Sequence, residues 1–99
     1  MSAQRYETNE PASIEVYGRR SIMAATLRNL SATGACLSWD KEGFQLETGD
    51  LVCLTVELGG LNRRHRVNAE VIWRAGKEMG VTFIPREDLV QRFTNRTRR

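Results

Sequence analysis

The chain contains one histidine and two cysteines among 99 residues, and this scarcity restricts its chemistry. His65 lies between Arg64 and Arg66, whereas a metal site normally assembles three or four His, Cys or carboxylate ligands. No pattern places a nucleophile beside this histidine, and the sequence has neither a P-loop nor a GxGxxG motif. We therefore expect that the protein is not an enzyme and has no catalytic residue, metal or cofactor.

Long apolar runs are also missing. No stretch approaches the roughly 18 residues that a membrane span needs, and residues 1–11 lack the apolar segment of a signal peptide. We therefore expect a cytoplasmic protein without a membrane span. In that compartment Cys36 and Cys53, which lie in apolar strand-like patterns without a CxxC partner, are expected to be buried free thiols.

The greater part of the chain has no excess charge of either sign. Residues 1–85 contain ten Lys or Arg and ten Asp or Glu, so the net charge of +3 arises in residues 86–99. Such a basic end is typical of a solvated tail. Nucleic-acid-binding barrels interleave aromatic residues with Arg or Lys on an exposed face, and here most Trp and Phe fall on the apolar side of their strands. No DNA or RNA partner is expected.

Alternation with a period of two residues is the dominant pattern in the sequence, and it is typical of strands with one apolar face. It predicts a short strand at 14–16 and a longer one at 20–27. Four further strands are predicted around residues 35–39, 52–58, 67–73 and 79–83.

The segments between these strands fit an antiparallel arrangement. Residues 59–62 and 76–78 are turn signals, and 40–50 is expected to be a longer loop. Pro85 ends the last strand, and residues 86–93 have the apolar spacing of one short helix. The sequence therefore predicts an all-β barrel or sandwich of six strands, with a C-terminal helix.

Short polar residues interrupt the alternation in Asn29-Leu30-Ser31-Ala32-Thr33-Gly34. One interpretation is a β-turn, since Asn, Ser and Gly are preferred turn residues and Gly34 tolerates a positive φ. The other is a ligand site, because Asn29 and Ser31 at alternate positions place two hydrogen-bonding groups on one face beside a glycine. Spacing alone leaves both interpretations open.

This stretch is similar to the (D/N)xSxxG motif of the PilZ domain family, with Asn29, Ser31 and Gly34 at the motif positions. An apolar strand follows the motif, as in the family. Residues 71–73 (Val-Ile-Trp) and 80–83 (Gly-Val-Thr-Phe) resemble the late strand pair of the family, VxW followed by GvxF.

The resemblance covers most of the chain, from about residue 5 to residue 93, and it implies a fold and a ligand. The fold is a six-stranded antiparallel PilZ-type β-barrel with a short C-terminal α-helix. The expected organisation is a flexible N-terminal arm at 1–12, the barrel domain with its helix at 13–93, and a basic tail at 94–99. The ligand is cyclic di-GMP, a bacterial second messenger, which lies outside the barrel between the motif and an N-terminal arm carrying RxxxR.

The N-terminal arm departs from this family pattern. Arg5 occupies the first arginine position, but Asn9 stands where the second arginine is expected. Asn carries no charge, and the loss of one charge-assisted contact corresponds to about 1.5–3 kcal/mol of binding free energy. Glu7 and Glu10 add negative charge nearby. The arm is therefore expected to bind an anion less strongly than a complete RxxxR arm.

The residues expected to contact cyclic di-GMP come from the arm, the motif and two further positions. Arg28 is included because it directly precedes the motif, and Trp73 is included as a stacking surface. A plainer role stays open for both, namely an exposed strand-face charge for Arg28, as for Arg19, Arg20 and Arg74, and a barrel-end aromatic for Trp73. The full set is Arg5, Asn9, Arg28, Asn29, Ser31, Gly34 and Trp73.

The resemblance predicts a cyclic di-GMP receptor or adaptor that changes its surface on binding the ligand and signals to a downstream effector protein. The alternative is a degenerate PilZ domain that does not bind the nucleotide and acts as a protein-interaction module. Asn9, Glu7 and Glu10 favour this alternative. A monomer or weak dimer is expected in either case.

Overall fold

The structure is a computed structural model, and it describes residues 6–19, 21–42, 45–58 and 63–97. Arg5, Arg20 and the turn predicted at 59–62 lie outside the described residues. The elements in chain order are β1 (Tyr6–Val16), β2 (Ile22–Leu30), β3 (Gly34–Ser38), β4 (Leu51–Leu58), β5 (Arg63–Ala75), β6 (Glu78–Phe83) and α1 (Arg86–Thr97).

The six strands form a closed antiparallel barrel in the order β1-β2-β3-β6-β5-β4. Consecutive strands pair within β1–β3 and within β4–β6, and the two groups meet where β3 pairs with β6 and where β1 pairs with β4. The predicted six-stranded antiparallel barrel with a C-terminal helix is confirmed.

The interior of the barrel is filled by the apolar residues of the alternating pattern. Successive side chains of a strand point to opposite faces, so each strand contributes every second residue to the core. Burial of one such aliphatic side chain contributes roughly 1.5–3 kcal/mol to stability. The members that are at most 1% exposed are Ile14, Leu27, Leu37, Leu46, Val52, Leu54, Ala69, Val71 and Met79.

Helix α1 packs on the outside of the barrel. Leu89 forms a small apolar cluster with Leu51 and Ile84, and Tyr17 packs against that cluster. The helix continues to Thr97, beyond the predicted end at residue 93, so the first part of the predicted tail is helical. Within the described residues, no helix combines the length and the apolar character that crossing a membrane requires.

Strand β1 is longer than predicted, since it begins at Tyr6 and not near residue 14. The described part of the predicted arm, from Tyr6 onward, therefore belongs to this strand. Tyr6 pairs with Leu30 and Glu7 pairs with Asn29. The first half of the strand is polar on its exposed positions, so hydrophobic alternation did not reveal it.

A bulge interrupts the regular pairing of β2. Leu27 pairs with Leu37 and Asn29 pairs with Cys36, which leaves Arg28 as an extra residue against β3. Because a bulge disturbs the alternation of side chains, two consecutive residues can face the same side of the sheet. Arg28 is exposed and Asn29 is half-buried on the outside of the barrel.

A second bulge lies in β5, opposite β6. Val71 pairs with Val81 and Trp73 pairs with Gly80, which leaves Ile72 unpaired between them. Ile72 is 52% exposed and Trp73 is 41% exposed, so two large apolar side chains stand side by side on the outer surface.

Candidate functional site

Ser31 holds the turn between β2 and β3 in place. Its Oγ accepts hydrogen bonds from the backbone N–H groups of Thr33 (3.3 Å) and Gly34 (3.2 Å). The backbone N–H of Ser31 donates to the Gly34 carbonyl oxygen at 2.9 Å. Hydroxyl groups commonly stabilise turns in this way. The turn interpretation of the polar stretch is therefore correct for Ser31, whose hydroxyl is engaged within the turn.

Gly34 serves a steric purpose that differs from the predicted one. Positive φ angles among the described glycines occur at Gly18, Gly49 and Gly76, so Gly34 does not adopt the positive φ that the turn interpretation allowed. A Cβ atom at Gly34 would overlap the carbonyl oxygen of Val81 in β6. Glycine is needed here because the backbones of β3 and β6 approach closely at this point.

Asn29 is the penultimate residue of strand β2, so it precedes the polar turn and is not part of it. Its side chain is half-buried at a surface cleft. Within the described part of the chain, no group forms a hydrogen bond with its amide. The amide can both donate and accept hydrogen bonds, so it is available to a ligand.

The cleft is small, with a volume of about 110 Å³, and it lies on the outside of the barrel. Asn29 from the end of β2, with Ser31 and Thr33 from the β2–β3 connection, line one part of it. Ile72 and Trp73 from the bulge in β5 line another part. The cleft therefore combines hydrogen-bonding groups with an exposed apolar surface.

Gly80 allows Trp73 to lie close against the barrel. A Cβ atom at Gly80 would overlap the indole Nε1 and neighbouring ring atoms of Trp73. The indole therefore packs directly on the backbone of β6 while 41% of the residue stays exposed. An aromatic ring fixed in this way offers a stacking surface to a planar ligand.

The described residues that line the cleft carry no charged side chain. Cys36 is the one titratable side chain that lines it among the described residues. Shifted pKa values occur elsewhere, since burial and the neighbouring Cys53 raise the pKa of Tyr17, and the Lys77 ammonium lowers the pKa of the exposed Glu42 carboxyl. Within the described residues, no three His, Cys, Asp or Glu side chains come together to hold a metal ion.

The structure brings Asn29, Ser31, Gly34 and Trp73 of the predicted set together in this cleft. The other described members lie at the β1–β2 pairing beside it. The register shifts between Glu7 and Glu10, so that Thr8 and Asn9 of β1 face Arg28 of β2. Arg5 is not described, but it directly precedes Tyr6, the partner of Leu30.

Two other arginines of the barrel, Arg74 and Arg19, form contacts away from the cleft. The guanidinium of Arg74 donates to the carbonyl oxygens of Leu46 (2.9 Å) and Gly76 (3.2 Å), and it lies 5.5 Å from the centroid of the Trp39 ring. Arg19 donates to the Gln45 carbonyl oxygen and lies 3.8 Å from an Asp50 carboxylate oxygen. Neither residue lines the cleft.

Sequence reasoning did not assign several residues of the cleft to the site, among them Ile72, Gly80 and Cys36. The run Val71-Ile72-Trp73 breaks the alternation of the strand, and a bulge is one local arrangement that does so. Cys36 is half-buried in the cleft, so its expected full burial is wrong, whereas Cys53 is buried as expected. Both cysteines are free thiols.

Comparison with known proteins gives a match to one family. The family model described as PilZ domain matches residues 1–96. No curated protein sequence matches the chain. The crystal structure of the PilZ domain of CeSA from a cellulose-synthesizing bacterium is similar, with a TM-score of 0.70 and 17% identity over 93% of this chain and 90% of that chain.

Two further solved structures share the fold. The Bacillus subtilis inhibitor of motility (MotI/DgrA) has a TM-score of 0.69 and 16% identity, over 98% of this chain and 50% of that chain, so this chain spans half of that protein. A Legionella protein described as uncharacterized has a TM-score of 0.52 and 12% identity, over 97% of this chain and 99% of that chain. At these identities, the likeness shows the fold alone.

Proposed function

The chain belongs to the PilZ domain family, and on that basis we propose that it is a receptor for cyclic di-GMP that signals to an effector protein. PilZ domains are binding and adaptor modules and not enzymes. The cleft supports a binding role, because its lining has hydrogen-bonding groups and an aromatic surface but no arrangement of an acid and a base for catalysis.

The presence of Asn29 and Trp73 in the same cleft is the observation that carries this proposal. A guanine base has a flat π face and a hydrogen-bonding edge. The exposed indole of Trp73 suits the face, and the available amide of Asn29 suits the edge. The cleft has a volume of only about 110 Å³, so one base would lie in it while the ribose and phosphate groups stay on the barrel surface.

Ser31 and Gly34 support the site indirectly in this proposal. Ser31 fixes the turn that holds the two sides of the motif together, and Gly34 lets β3 approach β6 closely. Arg5 is assigned the phosphate or guanine contact that the family resemblance implies. Asn9 contributes at most a neutral hydrogen bond, because it has no charge.

Signalling requires that ligand binding changes a surface that a partner can recognise. The cleft involves β2, β3, β5 and β6, so a bound ligand covers Ile72 and Trp73 and adds its own phosphates to the outside of the barrel. The partner would then recognise a surface with a covered apolar patch and new negative charge. The Bacillus subtilis protein of similar fold is described as an inhibitor of motility.

The proposal is tested by isothermal titration calorimetry with cyclic di-GMP on the natural chain and on Asn9→Arg. Binding by the natural chain with a Kd in the micromolar range or below supports the receptor. Asn9→Arg is expected to bind at least as tightly as the natural chain, because it adds a guanidinium to the arm. Gln91→Arg is the control, since it adds the same charge on the exposed surface of α1.

The degenerate domain is the second candidate, and the composition of β1 favours it. Glu7 and Glu10 flank the bulge that contains Asn9, so carboxylates lie where an anionic ligand would approach. This candidate predicts no heat of binding to the natural chain at ligand concentrations near a millimolar. Binding by Asn9→Arg alone would then show that one position had disabled the site.

A further inference from the structure

The bulge in β2 turns Arg28 and Asn29 toward the same side of the barrel. Leu27 is 1% exposed and belongs to the core, and Leu30 packs against the core from the other end of the bulge. Arg28 and Asn29 lie between them, Arg28 exposed and Asn29 lining the outer cleft. In a regular strand, two consecutive side chains would point to opposite faces. The bulge therefore brings a guanidinium next to the amide of the cleft.

Arg28 differs from other arginines of the barrel in having an unengaged side chain. Within the described residues, its guanidinium forms no hydrogen bond or ion pair. By contrast, Arg74 binds two carbonyl oxygens, Arg19 lies beside Asp50, and Arg66 donates to the Cys53 sulfur. An unengaged guanidinium can form two parallel charge-assisted hydrogen bonds with a phosphate.

The strand that faces Arg28 is fixed in position. Thr8 Oγ1 donates to the Leu27 carbonyl oxygen at 3.0 Å and accepts from the Glu10 backbone N–H at 2.9 Å. Asn9 is exposed in the same bulge, opposite Arg28. Positions 9 and 28 are therefore neighbours across the β1–β2 pairing, so a cation at either position serves the same part of the surface.

We propose that Arg28 is the anion-recognition residue beside the cleft and that it supplies the guanidinium that Asn9 lacks. Its charge would bind a phosphate of the cyclic dinucleotide while Asn29 and Trp73 hold a base. This inference rests on the proposed function. It further implies that the site selects an anionic dinucleotide over a neutral nucleoside, because the base contacts alone carry no charge.

The test is calorimetric titration of four proteins with cyclic di-GMP: the natural chain, Arg28→Ala, Arg28→Ala with Asn9→Arg, and Arg86→Ala. Arg28→Ala is expected to raise Kd about ten- to a hundredfold and to weaken the dependence of Kd on salt. Asn9→Arg in the same chain is expected to restore most of the affinity. Arg86→Ala is the matched control, since it removes an exposed arginine outside the cleft, and its Kd is expected to stay within twofold of the natural value.

The outcomes separate the two claims. If the natural chain binds and Arg28→Ala binds equally well at low and at moderate salt, the role of Arg28 is refuted and the receptor remains. If Arg28→Ala and Arg86→Ala lose the same affinity, the effect is one of general charge and the assignment is also refuted. If the natural chain does not bind cyclic di-GMP, the proposed function fails, and the inference fails with it.

Discussion

At the scale of single residues, some side chains of the cleft maintain the fold and others are available to a ligand. The hydroxyl of Ser31 is committed to the backbone of its own turn. The amide of Asn29 has no hydrogen-bonding partner in the described part of the chain. Two residues of one motif therefore contribute to different properties, and substitution can separate them.

Ser31→Ala is expected to lower the free energy of unfolding by about 0.5–1.5 kcal/mol, because the two backbone N–H groups lose their acceptor. Asn29→Ala is expected to change it by less than about 0.5 kcal/mol, since the described residues give the amide no partner. Urea unfolding measures both values, and titration with cyclic di-GMP measures the effect on binding. Equal destabilisation by the two variants would contradict this division.

Gly34 and Gly80 predict different consequences for the same substitution. Alanine at Gly34 meets the backbone of β6, so Gly34→Ala is expected to destabilise the barrel by about 1–3 kcal/mol. Alanine at Gly80 meets the side chain of Trp73, which can move outward, so the loss is expected to be smaller. Gly80→Ala should instead shift tryptophan emission to longer wavelength, because Trp73 becomes more exposed to water. Trp39 stays buried, so the shift reports on Trp73. Ala32→Ser, an exposed change in the turn, is the control for both measurements.

Tyr17 predicts a loss of stability at alkaline pH. Burial and the neighbouring Cys53 raise the pKa of its phenol above the usual 10.0, and its hydroxyl donates to Asn68 Oδ1. The unfolded chain therefore releases this proton at lower pH than the folded chain does. The stabilising contribution is complete below pH 10 and is lost as the pH rises through the folded-state pKa. The difference in ultraviolet titration between the natural chain and Tyr17→Phe measures this pKa, and a midpoint at or below 10 would contradict it.

At the scale of the strands, the alternating pattern was sufficient to predict their number and most of their positions. It failed where side chains do not alternate between core and solvent. Arg28 and Ile72 are bulged residues, and bulges depend on contacts between strands that are distant in sequence. The first half of β1 is polar, so its pairing with β2 had no hydrophobic signature.

The sequence was sufficient to predict the motif of the candidate site, but it predicted the physical roles of the motif residues only in part. Asn29, Ser31 and Gly34 were identified from their resemblance to the PilZ motif, and all three line the cleft. The need for glycine at position 34 arises from the approach of Val81, which is 47 positions further along the sequence. Such a steric requirement is a property of the folded barrel and leaves no local pattern.

We expect the thiols of Cys36 and Cys53 to differ in reactivity, and we expect the reactivity of Cys36 to report on the cleft. Cys36 faces the cleft and is half-buried, whereas Cys53 is 5% exposed. We expect iodoacetamide to modify Cys36 faster, and we expect cyclic di-GMP to slow that reaction by covering the thiol. Mass spectrometry of peptides from the alkylated protein follows each cysteine separately. Protection of Cys53 but not Cys36 would place the ligand elsewhere.

At the scale of the whole molecule, ligand binding is expected to stabilise the barrel against heat. A ligand at 100 times its Kd that binds only the folded state adds about 2.7 kcal/mol to the free energy of unfolding. In a domain of this size, 1 kcal/mol corresponds to about 4–8 °C in Tm, so the shift is expected to reach about 10–20 °C. Calorimetric melting with and without cyclic di-GMP measures it, and GMP serves as the control ligand. An unchanged Tm at this concentration would count against the receptor.

The barrel has two seams, where β3 pairs with β6 and where β1 pairs with β4. They divide it into halves that are each continuous in sequence, β1–β3 and β4–β6. The cleft crosses the seam between β3 and β6, with Asn29 and Cys36 in one half and Trp73 and Gly80 in the other. A chain cut between β3 and β4 would thus yield two fragments that each carry part of the cleft. A molecule bound there would join the fragments, so that its concentration sets the extent of their reassembly. The same geometry would make the barrel a split reporter of that molecule, with fluorescent or enzymatic halves fused to the new ends.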